Sequence, residues 1–213
     1  MQALSKSLGK VGELILFVLL SIVYTSLIIS PLILINILIE GSLIKYILLF
    51  IPLIGLLALA LEREFIAVKA VFIDYKSYYR SYFKDVFGEK FIRKYLTYSL
   101  IFSLYFYFSD ALRILESDVL VLFVFRIFLS LIFRDIIFYT ILQRAFREDV
   151  GFIKTIKNSC LLTFRFPIYA IIIGFVWEVI ESLLITNILW TYVLVIIIGF
   201  LGTFINETKV KNL

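Results

Sequence analysis

Apolar residues in this chain form long stretches with few charges, separated by shorter segments rich in lysine, arginine and tyrosine. A helix that crosses a bilayer needs about 20 mostly apolar residues. Six stretches qualify: residues 14–39, 43–61, 95–112, 119–142, 167–186 and 188–205. The pattern predicts an all-α fold, a polytopic transmembrane helical bundle of about six spans, as a single integral membrane domain over residues 1–213.

Basic residues are distributed unevenly between these stretches, and their distribution predicts a topology. They are frequent in residues 1–13, 62–94, 143–166 and 206–213, whereas the opposite loops contain Lys45 and Arg113 alone. Because positive residues accumulate in cytoplasmic loops, we expect a multi-pass plasma-membrane protein with cytoplasmic N- and C-termini. A five-span alternative, in which residues 166–181 lie on the membrane surface, would put the C-terminus outside.

Two of the cytoplasmic segments are predicted to be amphipathic. In the first, Lys76, Arg80 and Lys84 recur every four residues and share one helix face, with tyrosines covering much of the rest. An interfacial helix typically has basic side chains that reach the lipid headgroups, and aromatic rings that lie at the boundary with the acyl chains. The alternative is a docking surface for a cytoplasmic partner. Residues 143–166 repeat this plan more briefly.

Charged residues inside the predicted spans need a partner, water or an interface within reach, because lipid does not solvate them. Helical rise places Arg126 about 10 Å from the outer boundary, and Glu181 and Asp110 at nearly the same depth. Glu178 shares a helix face with Glu181. The hypothesis is an intramembrane charge site of these four residues, in which Arg126 pairs with Glu181, Asp110 or both.

The charge site has two interpretations, fixing helix packing or lining a polar cavity for a solute or proton. Arg134 and Asp135 are placed nearer the cytoplasmic boundary, where we expect the Arg134 side chain to snorkel to the interface.

Composition excludes several classes of function. The chain is 62% hydrophobic with a mean hydropathy of +1.05, far from soluble domains. It has no histidine and one cysteine, which rules out imidazole catalysis and histidine-ligated zinc. Its net charge of +5 follows the topology and accompanies no nucleic-acid motif. The motif "GFLG" near residue 200 is expected to be helix-packing material. We expect no enzyme, cofactor or metal.

Three stretches carry a resemblance to a known family: "FIPLIGLLALALEREF", "DYKSYYRSYFKDVFGEKFIRKY" and "FYTILQRAFREDVGFIKTIKNSCLLTFRFP". They resemble the YesL-type family of small polytopic membrane proteins, over about residues 10 to 200. The family's first span usually contains an asparagine, which in this chain comes only late in the span, at Asn36. The resemblance implies association with sugar-uptake systems and supplies no catalytic residues.

Two functions follow as expectations. The first is an accessory or assembly component of a solute uptake system, in contact with the lipid bilayer and with a transporter subunit or a second copy. The alternative is an autonomous small transporter with Arg126, Glu178 and Glu181 in its pathway.

Overall fold

The computed structural model describes residues 2–38, 47–76, 90–116, 120–147, 150–186 and 189–210. Side chains within them are described except at residues 2–10, 36–37, 47–52, 54, 109–110, 112–116, 180–186, 189–191 and 194. These ranges contain seven α-helices and no β-strand, so the all-α prediction is confirmed. The helices are α1 (Gln2–Leu38), α2 (Ile47–Phe72), α3 (Lys90–Glu116), α4 (Leu120–Phe146), α5 (Phe152–Arg165), α6 (Pro167–Thr186) and α7 (Leu189–Ile205), followed by a π-helical turn, Asn206–Val210.

Helix α2 lies at the centre of the bundle, packed against α1, α3, α4 and α7. Its middle is rich in small side chains, and Gly55, Ala58, Ala60 and Ala67 are all buried. Small residues let helix backbones approach closely. Helix α4 joins this centre to α5 and α6, so the second half of the chain is built around α4.

The "GFLG" motif packs α7 directly against α2. A side-chain carbon added at Gly199 would meet the side chain of Glu64, and one added at Gly202 would meet the ring of Phe65. The hydroxyl of Thr203 donates a hydrogen bond to the backbone oxygen of Phe65 at 3.3 Å. The predicted packing role of this motif is confirmed.

Several helices extend beyond the predicted stretches. Helix α2 continues to Phe72, past residue 61, because Glu62, Arg63 and Glu64 are buried in the bundle and do not form a loop. Lys94 is buried as well. The assignment of Arg63 and Lys94 to a cytoplasmic loop is therefore wrong.

The second predicted amphipathic segment contains a helix, α5. Most of the first segment, residues 77–89, lies outside the described residues.

One helical stretch in the described part of the chain, Val11–Ile35, is long and apolar enough by itself to cross a membrane, with a mean hydropathy of 2.4. It lies near the N-terminus, where signal sequences also occur. Helix α5 and the first part of α6, Phe152–Arg165 and Pro167–Val179, meet the same test only as a pair bent by 105°. The structure thus shows an all-α protein with one candidate span, or two if the bent pair is one span.

The outer surface of the bundle is strongly apolar, whereas several charged side chains lie inside it. Glu62 and Glu64 are fully buried, and Arg134 and Asp135 are buried in α4. Large apolar side chains exposed by about half or more occur on six of the described helices, including Leu27 and Leu34 on α1, Leu104 and Tyr107 on α3, Val124 and Phe128 on α4, Leu161 and Phe164 on α5, Ile171 and Phe175 on α6, and Ile197 and Phe204 on α7.

Candidate functional site

An arginine in the middle of α4 joins three helices. Arg134 is buried, and its Nε donates a hydrogen bond to the hydroxyl oxygen of Tyr105 on α3 at 2.8 Å. Its Nη1 donates to Oε2 of Glu178 on α6, so the two side chains form an ion pair. A guanidinium has five donors in a rigid fork, which suits it to hold two partners at once.

The Arg134–Glu178 pair lines an open cavity of about 430 Å³ between α4 and α6. Gly174 on α6 faces Leu131 on α4 so closely that an added side-chain carbon would meet the leucine. The glycine therefore lets the two helices come together beside the cavity. The cavity is lined by Arg126, Ile127, Ser130, Leu131, Arg134, Ile171, Gly174, Phe175 and Glu178.

Two of the four predicted site residues, Arg126 and Glu178, line this cavity together. The guanidinium carbon of Arg126 lies 5.5 Å from the ring centre of Phe123, a cation–π contact. The side chains of Asp110 and Glu181 lie outside the described residues, so the predicted pairing of Arg126 with either stays a prediction.

The expectation that Arg134 snorkels to the interface is wrong, because the side chain is buried between α3 and α6. The depth of Arg134 along α4 could not identify Glu178 as its partner. The pairing depends on which helices are neighbours and on how each is rotated about its axis.

A polar face of α4 continues from this site toward the end of the helix. Asp135, Tyr139, Gln143 and Arg147 follow at intervals of four residues and therefore share one side of the helix. The first three are buried. Nε2 of Gln143 donates to the hydroxyl oxygen of Ser159 on α5 at 2.8 Å. Within the described part of the chain, Oδ1 of Asp135 and the hydroxyl of Tyr139 make no hydrogen bond.

A second ion pair lies between α2 and α3. Nζ of Lys94 donates to Oε1 of Glu62 at 2.6 Å, and the hydroxyl of Tyr98 donates to Oε2 of the same carboxylate at 2.5 Å. Glu62 is 0% and Lys94 3% exposed, so the pair has no contact with the surroundings of the protein. This geometry favours a structural role over ligand binding.

The predicted interfacial basic face is described only at Lys76. This side chain is exposed, and its Nζ lies 3.5 Å from Oδ2 of Asp74. Arg80 and Lys84 lie outside the described residues.

Cys160 on α5 is a free thiol, and partial burial raises its pKa. In the described ranges, no group of three or more acidic, histidine or cysteine side chains is placed to hold a metal ion.

Fold and site together define a helical bundle with an apolar surface and a charged cavity between two of its helices. Comparisons with protein-family models, curated proteins and solved structures give no match to this chain. The resemblance to the YesL-type family stays a prediction.

Proposed function

We propose that the chain is a multi-pass helical membrane protein that binds a small anionic solute in the cavity between α4 and α6 and moves it across the bilayer. The observation that carries the proposal is the Arg134–Glu178 pair, set in a cavity of about 430 Å³ in a bundle whose outside is apolar. Six spans, as the hydropathy pattern predicts, are part of this proposal.

The distribution of charge supports immersion in a bilayer. Ionisable groups placed at membrane depth face the bundle interior or a cavity, and lipid-facing positions are apolar. Glu62, Lys94 and Arg134 are buried, while large apolar side chains cover the outside. Helix α7 has 17 residues without a charge, which gives about 26 Å of apolar helix, close to a bilayer core of about 30 Å.

The cavity has the size and charge of a small-ligand site. Ligand pockets commonly measure about 300–1,000 Å³ and combine an apolar lining with a few polar groups. Here the ionisable lining residues are Arg126, Arg134 and Glu178. The side chain of Glu178 is 60% exposed, so its carboxylate is accessible from the cavity. The guanidinium groups of Arg126 and Arg134 would donate hydrogen bonds to the oxygens of an anionic solute.

The polar face of α4 provides a continuation of the site. From Asp135 to Arg147 it covers about 18 Å along the helix, by helical rise. In lipid, buried polar groups without internal partners are costly, so their presence favours a hydrated pathway for solute or protons.

Flux into proteoliposomes tests this proposal. The probes are succinate, a dianion that crosses lipid poorly, and glucose, a neutral solute. We expect succinate uptake by the natural protein and at least about a tenfold loss in Arg126→Gln, because this variant removes a guanidinium group from the cavity lining. Lys154→Gln, which removes an exposed positive charge on α5, is the matched control and should keep full uptake.

Uptake of glucose in place of succinate, with the same loss in Arg126→Gln, would assign the cavity to a neutral solute. If neither probe is transported, or if both variants behave alike, the cavity is not the transport site.

A second candidate function is the accessory or assembly component of a solute uptake system. It is favoured by the first third of α4, where eight large apolar residues between Leu120 and Phe128 are 39–75% exposed on all sides of the helix. A helix that contacts only lipid and its own bundle would be covered by protein on one side, whereas this segment is exposed on every side. A partner helix or a second copy would cover this segment and the adjoining cavity.

The mass of the complex, extracted gently from its native membrane, distinguishes the two candidates. A stoichiometric second chain that is lost in Val124→Lys, with the fold retained, would support the accessory role. A monomer with succinate uptake would exclude it.

A further inference from the structure

A second, open cavity lies where α4 ends, bordered by α5 and the C-terminal turn. Its volume is about 200 Å³, enough for several water molecules, since one water takes up about 30 Å³ of the liquid. Two guanidinium groups and two amide side chains line it together with three apolar residues. The lining consists of Gln143, Arg147, Asn158, Leu161, Leu162, Arg165 and Val210.

Among the described residues, the lining includes two guanidinium groups and no carboxylate. Nη2 of Arg147 donates to the backbone oxygen of Val210 at 2.7 Å, which ties the arginine to the C-terminal turn. Arg165 is exposed, and its guanidinium carbon lies 6.0 Å from the ring centre of Phe166. Among the described residues, neither arginine forms an ion pair. Two like charges at one cavity repel each other unless an anion lies between them.

We propose that this cavity binds a phosphate group, with Arg147 and Arg165 as the charged donors and the Asn158 amide as a third donor. Guanidinium forks match the geometry of phosphate oxygens and can donate two parallel hydrogen bonds. Val210 is buried and fixes Arg147 in place through its backbone oxygen. One side of the site is therefore preorganised, while the exposed Arg165 can adjust to the ligand.

The surroundings favour the phosphate of a lipid headgroup. On α5, Ile153, Leu161 and Phe164 are exposed and share a face, and Lys154 and Lys157 are exposed beside them. Such a basic amphipathic helix lies at the headgroup boundary of an anionic bilayer. Basic pockets on the cytoplasmic side of helical bundles bind anionic headgroups. A soluble phosphate compound offers the same chemistry, so the test separates the two sources.

The experiment measures the thermal midpoint of the full-length protein in detergent micelles during titration with phosphatidylglycerol, with phosphatidylcholine and with inorganic phosphate. Potassium chloride at equal ionic strength is the salt reference. The variants are Arg165→Gln and Arg147→Gln. Lys154→Gln is the matched control, because it removes one exposed positive charge from the same helix and does not line the cavity.

Stabilisation by phosphatidylglycerol, with an apparent affinity about tenfold weaker in Arg165→Gln, would establish a lipid phosphate site. The same pattern with inorganic phosphate would establish a site for a soluble phosphate compound. Lys154→Gln should stay within about twofold of the natural protein, because a separate exposed charge is screened.

Two results would overturn the proposal. One is stabilisation by neither phosphate source. The other is equal weakening in Arg165→Gln and Lys154→Gln, which would show general surface attraction. Arg165→Gln keeps the test decisive even where Arg147→Gln does not fold, because the Arg165 contact given by the structure is with the neighbouring Phe166 ring.

Discussion

Single charged residues connect helices in this bundle at two separate places. Glu62 joins α2 to Lys94 and Tyr98 on α3, and Arg134 joins α4 to Glu178 on α6. The first carboxylate is enclosed completely, whereas Glu178 is accessible from a cavity. The two pairs should therefore respond differently to mutation, the first in stability and the second in ligand response.

Glu62→Gln should destabilise the protein strongly. The substitution leaves the buried Lys94 ammonium without its carboxylate, and breaking a buried pair by removing one partner costs about 3–5 kcal/mol. Thermal unfolding in detergent, followed by tryptophan fluorescence, measures the effect. Glu13→Gln on the exposed side of α1 is the control and should change the midpoint little.

The double variant Glu62→Gln/Lys94→Met tests whether the two residues act as a pair. It should lose clearly less stability than the sum of the two single variants, because no isolated ammonium is left. Additive losses would show that the charges act independently.

At the scale of helices, close approach between backbones organises the centre of the bundle. Gly55 on α2 faces Ser99 and the backbone of α3, and Gly199 and Gly202 on α7 face the other side of α2. Each contact brings α2 nearer to a neighbour than a side chain would permit. Shape, together with apolar burial, fixes the order of helices here.

Gly202→Ala should destabilise the protein by about 1–3 kcal/mol, since the new methyl group overlaps the packed ring of Phe65. Gly12→Ala is a matched control. Gly12 is also helical, nothing lies within 4 Å of an added carbon, and alanine is the better helix former by about 0.5–1 kcal/mol. Opposite shifts of the unfolding midpoint are expected, and a shift of the same sign in both variants would contradict this packing.

Helix positions were largely predictable from the sequence, because long apolar stretches determine them. The predicted stretch 167–186 coincides with α6, Pro167–Thr186. The extension of α2 through Glu62, Arg63 and Glu64 was missed, since three charged residues together usually mark a loop. The partner of the buried Glu62 is Lys94, which belongs to another helix.

The candidate site was predictable only in part. Arg126 and Glu178 stood out as charges in apolar stretches, and they do share a cavity. Arg134 was assigned to the interface because depth was judged along one helix. Its partners Tyr105 and Glu178 come from α3 and α6, and depth along α4 does not show how these helices face each other.

At the scale of the whole molecule, several charged side chains are buried while many large aliphatic side chains are exposed. Leu27, Leu104, Ile171 and Ile197, on four different helices, are 49–66% exposed. Large exposed apolar surface marks a membrane or a protein interface. The proposed multi-pass topology would place several helices in the bilayer, beyond the one candidate span that passes the length and hydropathy test alone.

Labelling of Cys160, the one cysteine of the chain, shows on which side of the membrane α5 lies. A membrane-impermeant maleimide should label it in inside-out vesicles and leave it unlabelled in right-side-out vesicles, since residues 143–166 are proposed to be cytoplasmic. Maleimide reacts with the thiolate, and burial raises the pKa of this thiol above 9.0. The rate of labelling should therefore still increase between pH 8 and pH 9. Labelling from the opposite side would reverse the proposed topology.

The most direct test of the account asks whether helices other than α1 contact lipid. Spin labels would be attached to single cysteines at residues 104, 171 and 197 in a Cys160→Ser background, with residue 27 on α1 as the lipid reference and residue 154 on α5 as the polar reference. In reconstituted bilayers, collision rates with oxygen and with a water-soluble nickel chelate would be measured. The account predicts high oxygen and low nickel accessibility at residues 104, 171 and 197, as at residue 27. High nickel accessibility at these three positions, with residue 27 alone in lipid, would contradict the multi-pass architecture.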